Sequence, residues 1–153
     1  METMKMGILG SGGIAHTMAN TVKEMKDVEL YAVGSRTLEN AEKFAAEFGI
    51  SKAYGSYEEL AADPEVDLVY VATPHSHHYP HVKLLLEHGK HVLCEKPVCS
   101  NREELDILIK AAKEQGVVFM EAMKNVHSPG FHAMMDNLYK IGTVRRATIQ
   151  YCQ

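Results

Sequence analysis

The sequence predicts an α/β fold with a doubly wound parallel sheet, for three reasons. Short apolar runs alternate with amphipathic helical runs, the connections between them are short, and the first apolar run ends in a glycine-rich turn. A chain of 153 residues can also bury a core without disulfides or metals. We therefore expect six parallel strands in the spatial order 3-2-1-4-5-6, with helices on both faces.

Each predicted strand is a short run of apolar and β-branched residues between turn residues. The fourth run, Leu68-Val69-Tyr70-Val71-Ala72, is apolar on both faces, as expected of a central parallel strand. The strands are predicted at residues 5–10, 28–34, 52–54, 67–73, 91–94 and 117–121.

Amphipathic helices are predicted between the strands from apolar residues at helical spacing. Gly49 and Gly116 are expected to end two of them as C-caps, and Ser56 to open the short third helix. The expected buried stripes are Ile14, Met18, Val22 and Met25 in the first helix, Leu38, Ala41, Ala45 and Phe48 in the second, and Leu105, Leu108, Ile109 and Ala112 in the helix that follows Ser100 or Asn101.

The chain continues beyond the sixth predicted strand. A helix is predicted near residues 131–139, and Ala147, Ile149 and Tyr151 then alternate with polar residues, as in a half-buried strand. A strand without a partner would be an exposed edge. We therefore expect residues 1–123 to form one domain. Residues 124–153 would form a linker helix and the first strand of a second α/β domain, at whose start the sequence is truncated.

Composition and charge narrow the function classes. The net charge of −4 disfavours nonspecific nucleic-acid binding, which needs a basic surface. The three cysteines, Cys94, Cys99 and Cys152, form no C-x-x-C pair, which favours a reducing compartment. The first strand begins too early for a signal peptide, and no apolar run approaches the ~18 residues of a membrane span. We expect a cytoplasmic protein that binds neither nucleic acid nor membranes.

The glycine-rich turn has the pattern G-x-G-x-x-A at Gly10, Gly12 and Ala15. The first glycine permits a tight turn, the second lets the backbone approach a pyrophosphate, and the alanine lets the helix pack on the strand. Backbone N–H groups at Gly13 and Ile14 would then face the phosphates. The pattern predicts dinucleotide binding. The alternative is a strand-to-helix turn without a ligand.

The end of the second strand favours NADP over NAD. An acidic residue there would bind the ribose 2′-hydroxyl of NAD, but the sequence reads Ser35-Arg36-Thr37. Arg36 can pair with a 2′-phosphate, and Ser35 or Thr37 can add a hydrogen bond. Alternatively, Thr37 caps the following helix and Arg36 is solvated, which would leave NAD equally acceptable.

Six of the nine histidines lie between residues 75 and 91. His77 and His81 would share one face of a helix, as zinc ligands can, but no acidic residue or cysteine accompanies them at ligand spacing. We favour a non-metal interpretation. Thr73-Pro74-His75 and His78 would then follow the fourth strand beside the topological switch point, where dinucleotides bind. His88 and His91 are expected to be surface residues at the opposite end.

Glu95-Lys96-Pro97 follows the fifth strand at its carboxyl end. Lys96 would lie near the nicotinamide half of a cofactor, where an ammonium group can orient a substrate hydroxyl, polarise a carbonyl or pass a proton. The alternative is a surface ion pair between Glu95 and Lys96.

Together these motifs resemble the Gfo/Idh/MocA family, which includes glucose-fructose oxidoreductase and inositol dehydrogenase. The resemblance covers essentially the whole chain. The motifs that carry it are Gly10-x-Gly12-x-x-Ala15, Ala72-Thr73-Pro74-His75-x-x-His78, Gly89-Lys90-His91-Val92-Leu93-Cys94-Glu95-Lys96-Pro97 and Glu121-Ala122.

The resemblance implies an NAD(P)-dependent oxidoreductase acting on sugars, cyclitols or related hydroxy compounds. It implies a Rossmann first domain and a second α/β domain that contacts substrate and forms a homo-oligomer. It implies that Lys96 is catalytic, between the nicotinamide ribose and the substrate, that Glu95 and His78 line the cofactor site, and that the Lys96–Pro97 bond is cis. The expected cofactor-binding residues are Gly10, Gly12, Gly13, Ile14, Ser35, Arg36, Thr73, Pro74, His75, His78, Glu95 and Lys96.

The sequence departs from the family pattern at two places and lacks a third feature. His75 stands where the family often has asparagine. Val126-His127-Ser128-Pro129 stands where Arg-Phe-x-Pro is common. The family's catalytic histidine belongs to the second domain. We expect the NADP-preferring domain of an oxidoreductase that transfers a hydride to or from a hydroxyl-bearing carbon. The alternative is a dinucleotide-binding sensor or assembly module without turnover.

Overall fold

The computed structural model describes residues 3–150 and has the predicted parallel sheet. Its strand order is β3-β2-β1-β4-β5-β6, and every pair of neighbouring strands is parallel. The strands are β1 (Met4–Leu9), β2 (Val28–Gly34), β3 (Lys52–Tyr54), β4 (Leu68–Val71), β5 (His91–Cys94) and β6 (Phe119–Glu121). The helices are α1 (Gly13–Val22), α2 (Leu38–Phe48), α3 (Tyr57–Ala62), α4 (His78–Glu87), α5 (Arg102–Gln115) and α6 (Pro129–Asn137). The predicted strand order is therefore confirmed.

Helices cover both faces of the sheet. One apolar cluster joins the sheet to buried residues of α1 and α2, such as Ala19 and Phe44. A second cluster joins the opposite face to α3, α4 and α5 through residues such as Leu60, Leu85 and Leu108. This is the two-sided burial that makes parallel strands apolar throughout.

The predicted buried stripe of α1 is partly wrong. The buried residues are Ala15, Ala19 and Val22, whereas Ile14 and Met25 are each 45% exposed. Small side chains face the sheet because this helix starts directly from the glycine turn and lies close to the strands. Met25 follows the end of the helix at Val22.

The stripes of α2 and α5 need smaller corrections. Leu38 begins α2 and is 49% exposed, and Phe44 is buried in its place. Ile109 is 38% exposed on α5, while Leu108 and Ala112 are buried as predicted. The buried stripe of α2 is therefore shifted by one position, and that of α5 is narrower than the apolar residues at helical spacing suggest.

The helix ends match the sequence. Gly49 and Gly116 have φ of 71° and 68°, the left-handed conformation expected at a C-cap. Ser56 accepts a hydrogen bond from the backbone N–H of Glu59, as predicted for the start of α3.

The chain divides into two compact units, Met1–Ala122 and Met123–Gln153, described over residues 3–122 and 123–150. The first contains the whole sheet, and the second contains α6 between two 3-10 turns. The strand predicted near residue 147 is wrong over the described residues, because 143–150 form no strand. An extended segment becomes a strand only through hydrogen bonds to a neighbour. Tyr151 lies outside the described residues.

A buried lysine connects the loop after α3 to the start of β5. Lys90 is 6% exposed, and its Nζ donates hydrogen bonds to the carbonyl oxygens of Asp63 at 2.5 Å and Val66 at 2.8 Å. Burial lowers the pKa of Lys90. Since Lys90 satisfies two buried carbonyls, it has a structural role that the sequence did not reveal.

We expect Lys90→Met to lower the free energy of unfolding by about 2 kcal/mol, because it leaves two buried carbonyl oxygens without donors. Urea denaturation followed by circular dichroism measures this change. Lys110→Met is the matched control, since the Lys110 side chain is 76% exposed and its one ion pair within residues 3–150 is with Glu114. Equal stability of the two variants would contradict the structural role of Lys90.

Candidate functional site

The predicted site residues of the sheet domain gather at the carboxyl edge of the sheet. Gly10 follows β1, Ser35 follows β2, Thr73 lies two residues after β4, and Glu95 follows β5. These four strands are consecutive neighbours in the sheet, in the order β2-β1-β4-β5. The chain changes direction across the sheet between β1 and β4, which makes this edge the topological switch point.

Gly10 occupies a position that only glycine fits. Its φ is 102°, and a Cβ there would lie 2.8 Å from the carbonyl oxygen of Ala72, beyond the end of β4. Its backbone N–H donates a 2.8 Å hydrogen bond to the carbonyl oxygen of Gly34, the last residue of β2. The turn after β1 is therefore held against both neighbouring strand ends.

The next two glycines face open space. A Cβ at Gly12 or Gly13 would meet nothing within 4 Å. Gly12 is the N-cap of α1 and provides no side-chain cap. Four other helices are capped by their own side chains, from Thr37, Ser56, Asn101 and Ser128.

The start of α1 thus has the properties of an anion site. The N–H groups of a helix's first turn lack partners within the helix, and the helix dipole adds partial positive charge. Here the approach to Gly13 and Ile14 is open, and Ile14 is 45% exposed. The residues present fit a pyrophosphate, whose oxygens the backbone N–H groups can bind.

The end of β2 presents one cation beside this turn. Ser35 is buried, with its Oγ 3.2 Å from the Oγ of Ser11 in the glycine turn. Arg36 is exposed and, within residues 3–150, forms no ion pair or side-chain hydrogen bond. Thr37 caps α2, accepting from the N–H of Asn40 at 3.4 Å, as the alternative interpretation of this segment expected. The guanidinium of Arg36 is therefore the group here that can bind a phosphate.

Tyr57 lies near the Arg36 charge. Burial raises the pKa of Tyr57, and the positive charge of Arg36 opposes that rise. The Tyr57 ring also packs edge-on against His81, with centroids 4.4 Å apart. The guanidinium of Arg36 therefore lies in a region that also contains the aromatic rings of Tyr57 and His81.

His81 is tied to Thr73. Its Nδ1 lies 2.9 Å from the hydroxyl of Thr73, and its ring stacks with that of His77, with centroids 5.7 Å apart. Burial, together with the neighbouring charge of His77, lowers the pKa of His81 to about 4, so that it is neutral at pH 7. Across residues 3–150, no three His, Cys, Asp or Glu side chains gather as a metal site would require.

The structure places His78 inside the fold. Its side chain is 0% exposed, and its ring nitrogens lie 2.7 Å from the carbonyl oxygens of Thr73 and Pro97. Carbonyl oxygens only accept, so both contacts are hydrogen bonds when both nitrogens carry protons. His78 thus connects the loops after β4 and β5, and its ring has no free nitrogen for a ligand. Its assignment as a cofactor-binding residue stays a prediction. Pro74 and His75, in contrast, are exposed.

The loop after β5 presents an exposed lysine. Lys96 forms no ion pair with Glu95, or with any other acidic residue among 3–150, so the surface ion pair of the alternative interpretation is absent. The Lys96–Pro97 peptide bond is cis, as the resemblance implied. Glu95 is half-buried and accepts a hydrogen bond from the hydroxyl of Tyr70 at 2.5 Å.

Sequence reasoning overlooked two residues that support this loop. Tyr70 holds Glu95 from within the core, and Glu121 accepts a 3.0 Å hydrogen bond from the N–H of Val98. Tyr70 lies inside an apolar strand, where tyrosine is an ordinary core residue. Glu121 was noted only as part of a motif. No spacing pattern marked either one as a support.

The other two histidines of residues 75–91, His88 and His91, lie at the opposite edge of the sheet. His88 is exposed and contacts the carbonyl of Leu84, while Nδ1 of His91 accepts from the N–H of Val118. Both lie at the amino end of β5, away from the site, as expected, but only His88 is an exposed surface residue, since His91 is half-buried. No helix within residues 3–150 combines the length and the hydrophobicity of a transmembrane span.

Two named proteins with similar sequences are both dehydrogenases. The chain is 43% identical over 150 residues to scyllo-inositol 2-dehydrogenase (NADP(+)) IolU of Bacillus subtilis, covering 98% of this chain and 46% of that protein. It is 41% identical over 152 residues to mouse trans-1,2-dihydrobenzene-1,2-diol dehydrogenase, covering 97% and 46%. It thus spans about half the length of these relatives.

Solved structures share the fold. The 3-ketoreductase KijD10 of Actinomadura kijaniata, in complex with TDP-benzene and NADP, matches with a TM-score of 0.85 and 29% identity, over 91% of this chain and 44% of that one. The family model of the Gfo/Idh/MocA oxidoreductases, described as an oxidoreductase family with an NAD-binding Rossmann fold, matches residues 4–123. The chain therefore belongs to the Gfo/Idh/MocA oxidoreductase family, and its sheet domain is that family's NAD(P)-binding Rossmann domain.

Proposed function

We propose that this chain binds NADP at the carboxyl edge of the sheet. The observation that carries the proposal is the uncapped, open start of α1, next to an arginine that pairs with no carboxylate in the described chain. The backbone of Gly12, Gly13 and Ile14 holds the pyrophosphate, and Arg36 holds the 2′-phosphate with Ser35 beside it. The names of a relative and of a bound structural neighbour, both containing NADP, support this choice.

We propose that the other half of the edge takes the nicotinamide. The two halves of such a sheet bind the two nucleotides, so the loops after β4 and β5 face the second one. Thr73, Pro74, His75 and Glu95 line this half, and His78 holds the two loops together from inside. The cofactor supplies or accepts a hydride, and the protein aligns the reactants and excludes water.

Lys96 is the proposed catalytic residue of this chain. Its ammonium group is exposed at the nicotinamide half and has no carboxylate partner among the described residues. It can donate a hydrogen bond to the oxygen of the reacting carbon, which orients the substrate and stabilises negative charge on that oxygen. The proposed substrate is a sugar, a cyclitol or a related hydroxy or keto compound, in line with the names of the inositol and dihydrodiol dehydrogenases.

We propose that residues 124–153 lead into a second domain that contributes substrate contacts and homo-oligomerisation. The described part of this segment has no buried residue in α6, and it exposes large apolar side chains. The most exposed are Tyr139 at 76%, Ile141 at 71% and Ile149 at 91%. Apolar residues in such number favour burial against further protein. Free thiols at Cys94 and Cys99 support a reducing, cytoplasmic location.

A sensor or assembly module without turnover is the second candidate. Val126 favours it, because this residue stands where the family commonly has an arginine. Val126 is 39% exposed and supplies no positive charge at that position. Oxidation of a cyclitol by the intact protein would exclude this candidate.

We expect Arg36→Ala to weaken NADP binding by about 10- to 100-fold, because it removes charge-assisted hydrogen bonds to the 2′-phosphate. NAD affinity should stay within about twofold, since NAD lacks that phosphate. Isothermal titration calorimetry of the chain with each cofactor measures both constants. Arg102→Ala, at an exposed arginine on α5, is the control. Parallel loss of both cofactors in Arg36→Ala would contradict the assignment.

Two glycine variants should separate folding from binding. Gly12→Val should lower NADP affinity more than about tenfold, because the valine side chain fills the space in front of α1. Its free energy of unfolding should change by less than about 1 kcal/mol. Gly10→Ala should lower the free energy of unfolding by about 2–3 kcal/mol through backbone strain at positive φ. Thermal denaturation and calorimetry give both readouts. Normal NADP binding by folded Gly12→Val would contradict the pyrophosphate site.

A further inference from the structure

Tyr70 connects the core to the edge of the sheet that carries the site. It lies on β4 and is 1% exposed, packed in the cluster that α1 forms with the sheet. Its hydroxyl donates a 2.5 Å hydrogen bond to Oε1 of Glu95, the first residue after β5. A buried hydroxyl requires a partner, and here that partner is a carboxylate of the candidate site.

The Tyr70 hydroxyl is a permanent donor. Burial, and then the hydrogen bond to Glu95, raise the pKa of Tyr70 well above its ordinary value. The hydroxyl therefore stays protonated throughout the neutral range. A hydrogen bond to an ionised acceptor is also shorter and stronger than one between neutral groups.

The second carboxylate oxygen of Glu95 is held from the loop side. Oε2 lies 3.3 Å from the backbone N–H of Lys96. The carboxylate is thus contacted from the core at one oxygen and from its own loop at the other. Without the tyrosine hydroxyl, the carboxylate could rotate toward the ammonium group of Lys96, one residue along the chain. The structure shows no ion pair between Glu95 and Lys96 among the described residues.

We propose that Tyr70 is a positioning residue, whose hydroxyl fixes the Glu95 carboxylate toward the nicotinamide half of the site and keeps it apart from Lys96. This inference rests on the proposed function. The position of the Glu95 carboxylate should make cofactor affinity depend on the redox state of the cofactor, because the oxidised nicotinamide ring is positively charged and the reduced ring is neutral. A fixed carboxylate attracts the charged ring and so favours NADP⁺ over NADPH.

The test is calorimetric titration of the chain with NADP⁺ and NADPH in Tyr70→Phe and Glu95→Gln. We expect each variant to weaken NADP⁺ binding about five- to tenfold, because the carboxylate charge is then removed or no longer held near the oxidised ring, and to change NADPH binding less than about twofold. The double variant should show no further loss, because both changes remove the same interaction.

Tyr54→Phe is the matched control. Its hydroxyl also donates to a buried carboxylate, that of Asp63 at 2.7 Å, but at the opposite side of the sheet on β3. This variant should lower stability and leave the ratio of NADP⁺ to NADPH affinity unchanged.

The possible results separate the proposals. Equal weakening of both cofactors by Tyr70→Phe would make Tyr70 only a core residue, which overturns the inference. An unchanged affinity ratio in Glu95→Gln would also overturn it, by placing Glu95 away from the nicotinamide. Failure of the unmodified chain to bind either cofactor would overturn the proposed function, and this inference with it.

Discussion

The close approach of two backbone segments at Gly10 is the constraint on which the site depends. The turn after β1 is separated from the carbonyl of Ala72 by too little space for a side chain, and its N–H is bonded to Gly34. This contact joins the ends of β2, β1 and β4. It also sets where α1 begins, so that the helix starts at the sheet edge with open space before it. The small buried face of α1, Ala15 and Ala19, follows from the same close packing.

Two buried side chains connect the core to the loops that follow β4 and β5. His78 bridges the carbonyls of Thr73 and Pro97, and Tyr70 holds Glu95. Neither reaches the surface, yet each fixes a loop that does. Loops that bind ligands are often the least stable parts of a fold. Here, hydrogen bonds from the strand β4 and the helix α4 limit their freedom, which leaves Lys96 exposed on a well-supported loop.

The sequence predicted the architecture well because its signals are local. Gly10, Gly49 and Gly116 mark positions of positive φ, and strand alternation with helices sets the sheet order. It failed where tertiary packing decides. The spacing of apolar residues could not show that Ile14 faces outward. The motif that contains His78 could not show that its ring is buried between the loops after β4 and β5. Tyr70 was unpredictable for a related reason, since its partner Glu95 lies 25 residues away, just after another strand.

We propose that the open start of α1 binds the cofactor pyrophosphate. ¹H–¹⁵N correlation spectra of the ¹⁵N-labelled chain, recorded during titration with NADP, show which backbone amides the cofactor contacts. We predict saturable shifts at the backbone amides of Gly12, Gly13 and Ile14, because these N–H groups bind the phosphates. If NADP bound while the signals of these amides did not shift and those of another region did, the cofactor would lie elsewhere, and the start of α1 would not be its pyrophosphate site.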